Sequence, residues 1–182
     1  MNIALTGSSG LIGSFLKKDL KNAGYHVLCI SSSKSIHNEN IYTYEEILER
    51  KINLKADLII HLASINSNLN EYQIDEELNL SKKVFQSMCV LDCKKIIFFS
   101  SIKVYGENSF AKNKYTEESL LKPESFYGEA KKKCENFFMD MASEKNFSYI
   151  ILRLSPLILE NPDSNIGKFF YFIRKGLPLP SF

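Results

Sequence analysis

Short apolar runs recur along this chain without polar alternation, and stretches with helical spacing separate them. Five are clear: Asn2–Leu5, His26–Ile30, Asp57–Leu62, Lys95–Ser100 and Tyr149–Leu154, with a weaker sixth at Asn40–Thr43. A strand with one wet face alternates, whereas one that is apolar throughout must be covered on both faces. Helices are expected between them at Leu11–Ala23, about Glu45–Lys51, Glu71–Leu91 and Ser125–Lys145. In the third, Leu78, Val84, Phe85, Met88 and Leu91 fall at helical spacing along an apolar stripe. All five prolines lie at or after Pro123, so nothing interrupts the earlier elements. Strands alternating with helices predict an α/β fold: a doubly wound parallel sheet with helices on both faces and right-handed crossovers. Such sheets bind ligands beyond the carboxyl ends of their strands.

At 182 residues, 45% hydrophobic and 24% charged, the chain has the material for one domain with a real core, which excludes disorder as its main state. The net charge of +2, with only three arginines among 23 cations, gives no basis for a nucleic-acid or membrane partner. No run approaches the roughly 18 apolar residues of a membrane span. The N-terminus enters a strand at once, without a basic leader and apolar stretch, so a cytoplasmic location is expected. Cys29, Cys89, Cys93 and Cys134 match no disulfide or zinc spacing and read as small buried hydrophobes; on one helix Cys89 and Cys93 would share a face. His26, His37 and His61 are scattered, so no metal site is expected.

Three of the eight glycines sit in one turn, Thr6-Gly7-Ser8-Ser9-Gly10-Leu11-Ile12-Gly13, between the first strand and the first helix. Gly7 suits a turn with positive φ, Gly10 lets the backbone approach a pyrophosphate, and Gly13 lets the helix pack closely on the sheet. The helix N-terminus would then hold the anion. A tight turn that binds nothing is the simpler alternative; the motif's place after a strand and before a helix favours a dinucleotide. After the second strand, Ser31-Ser32-Ser33-Lys34 contains no carboxylate to take ribose hydroxyls. Hydroxyls and the Lys34 ammonium would accept a 2′-phosphate, so NADP is favoured over NAD; a plain polar loop is the alternative.

The fourth clear strand delivers Ser100 and Ser101 to the same edge of the sheet. Twenty-six residues beyond Ser101, Tyr127-Gly128-Glu129-Ala130-Lys131 opens a helix with Tyr127 and Lys131 on one face. A phenol with a pKa of about 10 is a poor base near neutrality, but an ammonium and an oxidised nicotinamide beside it favour the phenolate. Tyr127 would then exchange a substrate alcohol's proton while hydride moves between carbon and nicotinamide, with Ser101 bonded to the same oxygen and Lys131 on the nicotinamide ribose.

In that order, TGSSGLIG, DLIIHLAS, FFSSIKVYG and YGEAK resemble the extended short-chain dehydrogenase/reductases, the NAD-dependent epimerase/dehydratase group. The resemblance covers nearly the whole chain and implies a Rossmann-like fold with Ser101, Tyr127 and Lys131 as catalytic triad. It places Leu11 and Ile12 with the glycines at the pyrophosphate, and Leu62, Ala63 and Ser64 along the cofactor. It also implies that Asn79 supports the active site and that Leu152–Pro156, with Ser155, borders the nicotinamide. Family members commonly act on nucleotide-activated sugars as epimerases, dehydratases and reductases. The expected function is therefore an NAD(P)-dependent nucleotide-sugar epimerase or ketone reductase, and pairing of two copies through the third and fourth helices follows from the same likeness.

Departures narrow this. Ser31 replaces the family's acid after the second strand, and Pro156 stands where sugar-nucleotide epimerases often carry Asn. Ser101-Ile102-Lys103-Val104 lacks the acidic pair a dehydratase would place there, which disfavours dehydration. Residues 1–160 are expected to form the dinucleotide domain and 161–182 the beginning of a substrate lobe. Phe169, Phe170, Tyr171, Phe172 and Ile173 in that stretch read as core packing, and Gly176-Leu177-Pro178-Leu179-Pro180 resembles the family's exit toward the substrate lobe. With so little of a lobe present, a dinucleotide-binding module without turnover, acting as a sensor or regulator, is the competing function.

Overall fold

A computed structural model describes residues 1–33, 41–51, 53–66, 68–106, 114–156 and 171–176. In chain order the elements are β1 (Asn2–Thr6), α1 (Leu11–Asn22), β2 (His26–Ser31), β3 (Ile41–Thr43), α2 (Tyr44–Leu48), β4 (Leu58–His61), α3 (Gln73–Val90), β5 (Lys95–Ser101), a 3-10 turn (Ile102–Tyr105), α4 (Phe126–Lys145) and β6 (Ser148–Leu154). The strands form one parallel sheet in the order β3-β2-β1-β4-β5-β6. The chain thus starts at the centre, builds outward to β3, then crosses back to build the other half from β4. That reversal opens a crevice beyond the carboxyl ends of β1 and β4, where Thr6 stands level with His61.

Each sheet face carries its own core. One packs Ala4, Ile30, Ile59, Ile96 and Phe98 against Tyr44 and Ile47 of α2, Val84 and Met88 of α3, and Cys134 and Phe138 of α4. The other sets Ile3, Leu5, Val27, Cys29 and Ile60 under Leu16 and Leu20 of α1. Period-2 alternation along strands apolar on both sides is what sends neighbours such as Leu5 and Ala4 to opposite layers. Local chemistry sets the helix starts. Thr43 and Glu46 form a reciprocal capping box on α2, and the Ser125 side chain accepts from the Gly128 amide at the start of α4.

The expected elements are found with shifted ends, and the 3-10 turn after β5 is an addition. It starts where the Ser101 hydroxyl oxygen accepts from the Lys103 amide at 3.3 Å. Two expectations are corrected. Cys29, Cys93 and Cys134 are buried, but Cys89 is exposed. Cys89 and Cys93 share no helix face, because α3 ends at Val90 and Asp92 turns the chain with φ 53°. In the tail, Tyr171 and Ile173 are 51% and 59% exposed, and the Tyr171 and Phe172 rings meet edge-on. The described part of that aromatic stretch joins neither core cluster. Phe169, Phe170 and residues 177–182 lie outside the described residues. Among the described residues no helix is long and apolar enough to cross a membrane, and no His/Cys/Asp/Glu group is arranged to hold a metal.

Candidate active site

The glycine turn is built too tightly for side chains. Gly7 has φ +70°, and a Cβ there would lie 2.7 Å from the Ala63 nitrogen. A Cβ on Gly13 would lie 2.1 Å from the Gly7 carbonyl oxygen, so α1 sits directly on the turn. Gly10 is the N-cap of α1 and supplies no side-chain acceptor, and the first turn carries no acid. The orphan amides and positive dipole end of α1 are thus left for an external anion. This donor set, with a close-approach backbone around it, fits a dinucleotide pyrophosphate.

A cleft of about 1540 Å³ runs from this turn across the carboxyl edge of the sheet. Of the residues singled out from sequence, Gly7, Gly10, Leu11, Ile12 and Gly13 line it after β1, and Ser31 and Ser32 at the end of β2. Leu62, Ala63 and Ser64 line it after β4, Asn79 from α3, Ser101 at the end of β5, Tyr127 and Lys131 from α4, and Ser155 after β6. Lys34 lies outside the described residues. The structure also adds Tyr44, Glu76, Lys83 and Lys103 to the walls, which reading along the chain had not marked.

At the far end, α4 is seated by Gly128. A Cβ on Gly128 would lie 2.6 Å from the Lys103 carbonyl oxygen, so the first turn of α4 rests on the turn that follows Ser101. The glycine inside YGEAK was the available signal for that approach. The Tyr127 ring packs on Leu69, Ile74 and Ala130. One helical turn on, Lys131 is 1% exposed, with its Nζ 5.6 Å from the centre of the Tyr127 ring and 5.0 Å from that of Phe98. Its ammonium donates to Glu77 Oε1 at 2.9 Å.

Beneath the cleft, His61 is buried between two hydroxyls. Its Nδ1 lies 2.8 Å from Thr6 Oγ1 and its Nε2 3.3 Å from Ser81 Oγ, while Thr6 Oγ1 also accepts from the Ala63 amide at 3.1 Å. The ring thereby ties the start of the glycine turn to α3 and to the loop after β4. Burial first, and the Lys131 charge second, push the His61 pKa from 6.5 down to about 3. Between those values the unfolded chain binds a proton that the folded one refuses, so stability is full above about pH 6.5 and falls as pH drops toward 3. Urea unfolding should show wild type losing about 2 kcal/mol more than His61→Gln between pH 7 and pH 5. Equal losses would mean that the ring is not held neutral.

Behind Ser101 lies a second buried network. The Ser100 hydroxyl donates to Glu135 Oε1, and Glu135 is fully buried. Arg153 of β6 grips the same carboxylate through Nε (3.1 and 3.2 Å) and through its second terminal nitrogen (2.8 Å). Its Nη1 donates to the Tyr105 hydroxyl at 2.7 Å and to the Glu117 carbonyl at 3.0 Å. The Glu135 bonds hold the guanidinium above its already high ordinary pKa. One arginine thus joins β5, β6, α4, the 3-10 turn and residues 114–119.

A family model described as the NAD dependent epimerase/dehydratase family matches residues 3–178. A UDP-glucose 4-epimerase of Vibrio cholerae is 25% identical over 197 residues, covering 98% of this chain and 58% of that one. Among solved structures, UDP-glucose 4-epimerase of Thermotoga maritima with UDP-glucose superposes with a TM-score of 0.77 at 27% identity, covering 100% of this chain and 66% of that one. UDP-N-acetylglucosamine 4-epimerase of Bacillus cereus reaches a TM-score of 0.80 at 22% identity over 98% of this chain and 64% of its own, which shows the shared fold. The chain therefore spans under two thirds of the length of the Vibrio cholerae relative and of the Bacillus cereus structure. With the family's strand order, its glycine turn on α1 and a Tyr127/Lys131 pair at the opposite end of the cleft, the chain belongs to the NAD dependent epimerase/dehydratase family.

Proposed function

We propose that this chain carries the cofactor site and the acid/base machinery of an NAD(P)-dependent nucleotide-sugar epimerase or ketone reductase. The observation that carries this reading is that the glycine cradle and Ser101, Tyr127 and Lys131 line one continuous cleft. The sugar-nucleotide epimerases among its relatives supply the substrate class. Gly7 and residues 10–13 would hold the pyrophosphate, Ser31 and Ser32 the adenosine ribose, Leu62–Ser64 the stretch between, and Lys131 the nicotinamide ribose beside Ser155. A bound nicotinamide supplies reversible hydride acceptance at its C4. Tyr127 takes or returns the proton of the sugar hydroxyl at its phenol oxygen, and Ser101 Oγ holds the same sugar oxygen in place. Lys131, itself buried, brings a positive charge to the tyrosine's side, where low surrounding polarity lets that charge act more strongly than in water. Pairing of two copies through α3 and α4 belongs to the same reading.

The serines at the end of β2 support NADP over NAD, because Ser31–Ser33 line the cleft and bring no carboxylate that would repel a 2′-phosphate. A module that binds the dinucleotide without turnover is the second reading. One experiment separates them: fluorescence titration with NADH and NADPH, then turnover on a panel of UDP-, GDP- and dTDP-sugars. Binding of both cofactors with NADPH tighter, and turnover of at least one sugar, is expected. Binding without turnover assigns the module instead; no binding removes both readings. NADH binding as tightly as NADPH would sink the serine argument.

A further inference from the structure

We propose that Glu77 is a positioning residue that sets the Lys131 ammonium and the loop after β4 in register with one another. The proposal rests on the reading of Lys131 as a cofactor and tyrosine partner. Asp75, Glu76 and Glu77 are consecutive on α3 yet meet three different fates. Asp75 pairs with Lys133 at the surface, Glu76 reaches the cleft wall, and Glu77 turns inward to 1% exposure. Both oxygens of Glu77 are used. Oε1 accepts from Lys131 Nζ at 2.9 Å, and Oε2 accepts from the Ile65 amide at 2.8 Å. One donor comes from α4 and the other from the loop whose residues 62–66 line the cleft.

The other groups around Lys131 offer it no second anion. The Phe98 and Tyr127 rings lie at 5.0 and 5.6 Å, His61 is held neutral, and Glu135, one turn along α4, is committed to Arg153 and Ser100. A buried ammonium needs a paired carboxylate, and Glu77 is the one recorded among the described residues. The donor set also dictates the side chain. Two donors converge on it, so it must present two acceptors. Glutamine presents one acceptor and one donor, and either flip leaves an N–H facing an N–H. Aspartate is one methylene shorter and would not span the same pair of donors from α3. Glu77 spends a single proton of Lys131, and an ammonium has two more to offer across the cleft.

The test uses the full chain in four forms: wild type, Glu77→Gln, Lys131→Met and the double variant. In Glu77→Gln the charged lysine takes the amide oxygen, so the Ile65 N–H loses its acceptor. NMR hydrogen exchange at Ile65 should accelerate at least about tenfold. In the double variant no lysine competes, the amide oxygen returns to Ile65, and exchange should fall back toward the wild-type rate. NADPH titration supplies the second readout. Glu77→Gln should weaken binding about tenfold alone and cause no further loss in the Lys131→Met background. A structural role would instead make the two losses additive, and additive losses overturn the proposal. So does Ile65 exchange that is unchanged in Glu77→Gln or as fast in the double variant as in the single. The exchange measurement needs no cofactor. Failure of the wild type to bind either dinucleotide would therefore strike the functional reading, while Ile65 still decides the coupling.

Discussion

Replacing Tyr127 with Phe should lower turnover by about 10²- to 10⁴-fold while leaving cofactor affinity close to wild type. The substitution isolates one oxygen. The Tyr127 ring packs on Leu69, Ile74 and Ala130, and Phe keeps every one of those contacts. No hydrogen bond of the hydroxyl is recorded among the described residues, so its removal leaves no partner stranded. Lys131 stays anchored to Glu77 rather than to the phenol, so the charge at that end of the cleft is unmoved. The folded state should therefore change by no more than about 0.5 kcal/mol, as for substitutions that disturb no packing or network. A loss confined to kcat, with the cofactor dissociation constant within about twofold, is the signature of a group that acts on the substrate proton. Turnover above about a tenth of wild type would remove Tyr127 from that role, since one general acid/base contributes at least about 10²-fold.

How much of this site is readable along the chain depends on how far apart its constraints lie. The glycine turn is legible because each of its demands is local: a positive φ at Gly7 and a helix packed on the turn at Gly13. Tyr127 and Lys131 are legible because one helical turn brings them together. Of the adjacent serines, strand alternation sends the Ser100 hydroxyl inward to Glu135 and leaves the Ser101 hydroxyl oxygen accepting from the Lys103 amide at the end of the strand, a split that period-2 spacing foretells. Glu77 was not legible. Its partners are 12 and 54 residues away, and one of them is a backbone amide that no side-chain pattern marks. His61 carried no ligand spacing, and its value lies in Thr6 and Ser81, which only the pairing of β1 with β4 and the docking of α3 bring to it. The tail misled because an aromatic run does not by itself say what a segment docks on: Tyr171 and Ile173 stand exposed even though Tyr149 and Ile150 of β6 are also left uncovered.

Arg153→Met should destabilise the fold by about 3–5 kcal/mol, because it strands the fully buried Glu135 carboxylate with Ser100 alone. For a chain of this size each kcal/mol shifts the melting temperature by roughly 2–4 °C, so a drop of roughly 10 °C is expected in a thermal scan. Methionine retains most of the apolar stem, and the Arg153 side chain is only 17% exposed, so solvent offers the carboxylate little relief. The loss should reach the active site as well. Arg153 holds Tyr105 and the Glu117 carbonyl, while Glu135 grips the residue before Ser101 and follows Lys131 by one turn of α4. The double variant Arg153→Met/Glu135→Met removes the stranded charge and should recover part of the stability. Recovery stays partial because the buried Ser100 hydroxyl is left unpaired, at a cost of about 1–3 kcal/mol. A double variant as unstable as the single would show that the damage lies in lost packing rather than in an uncompensated charge.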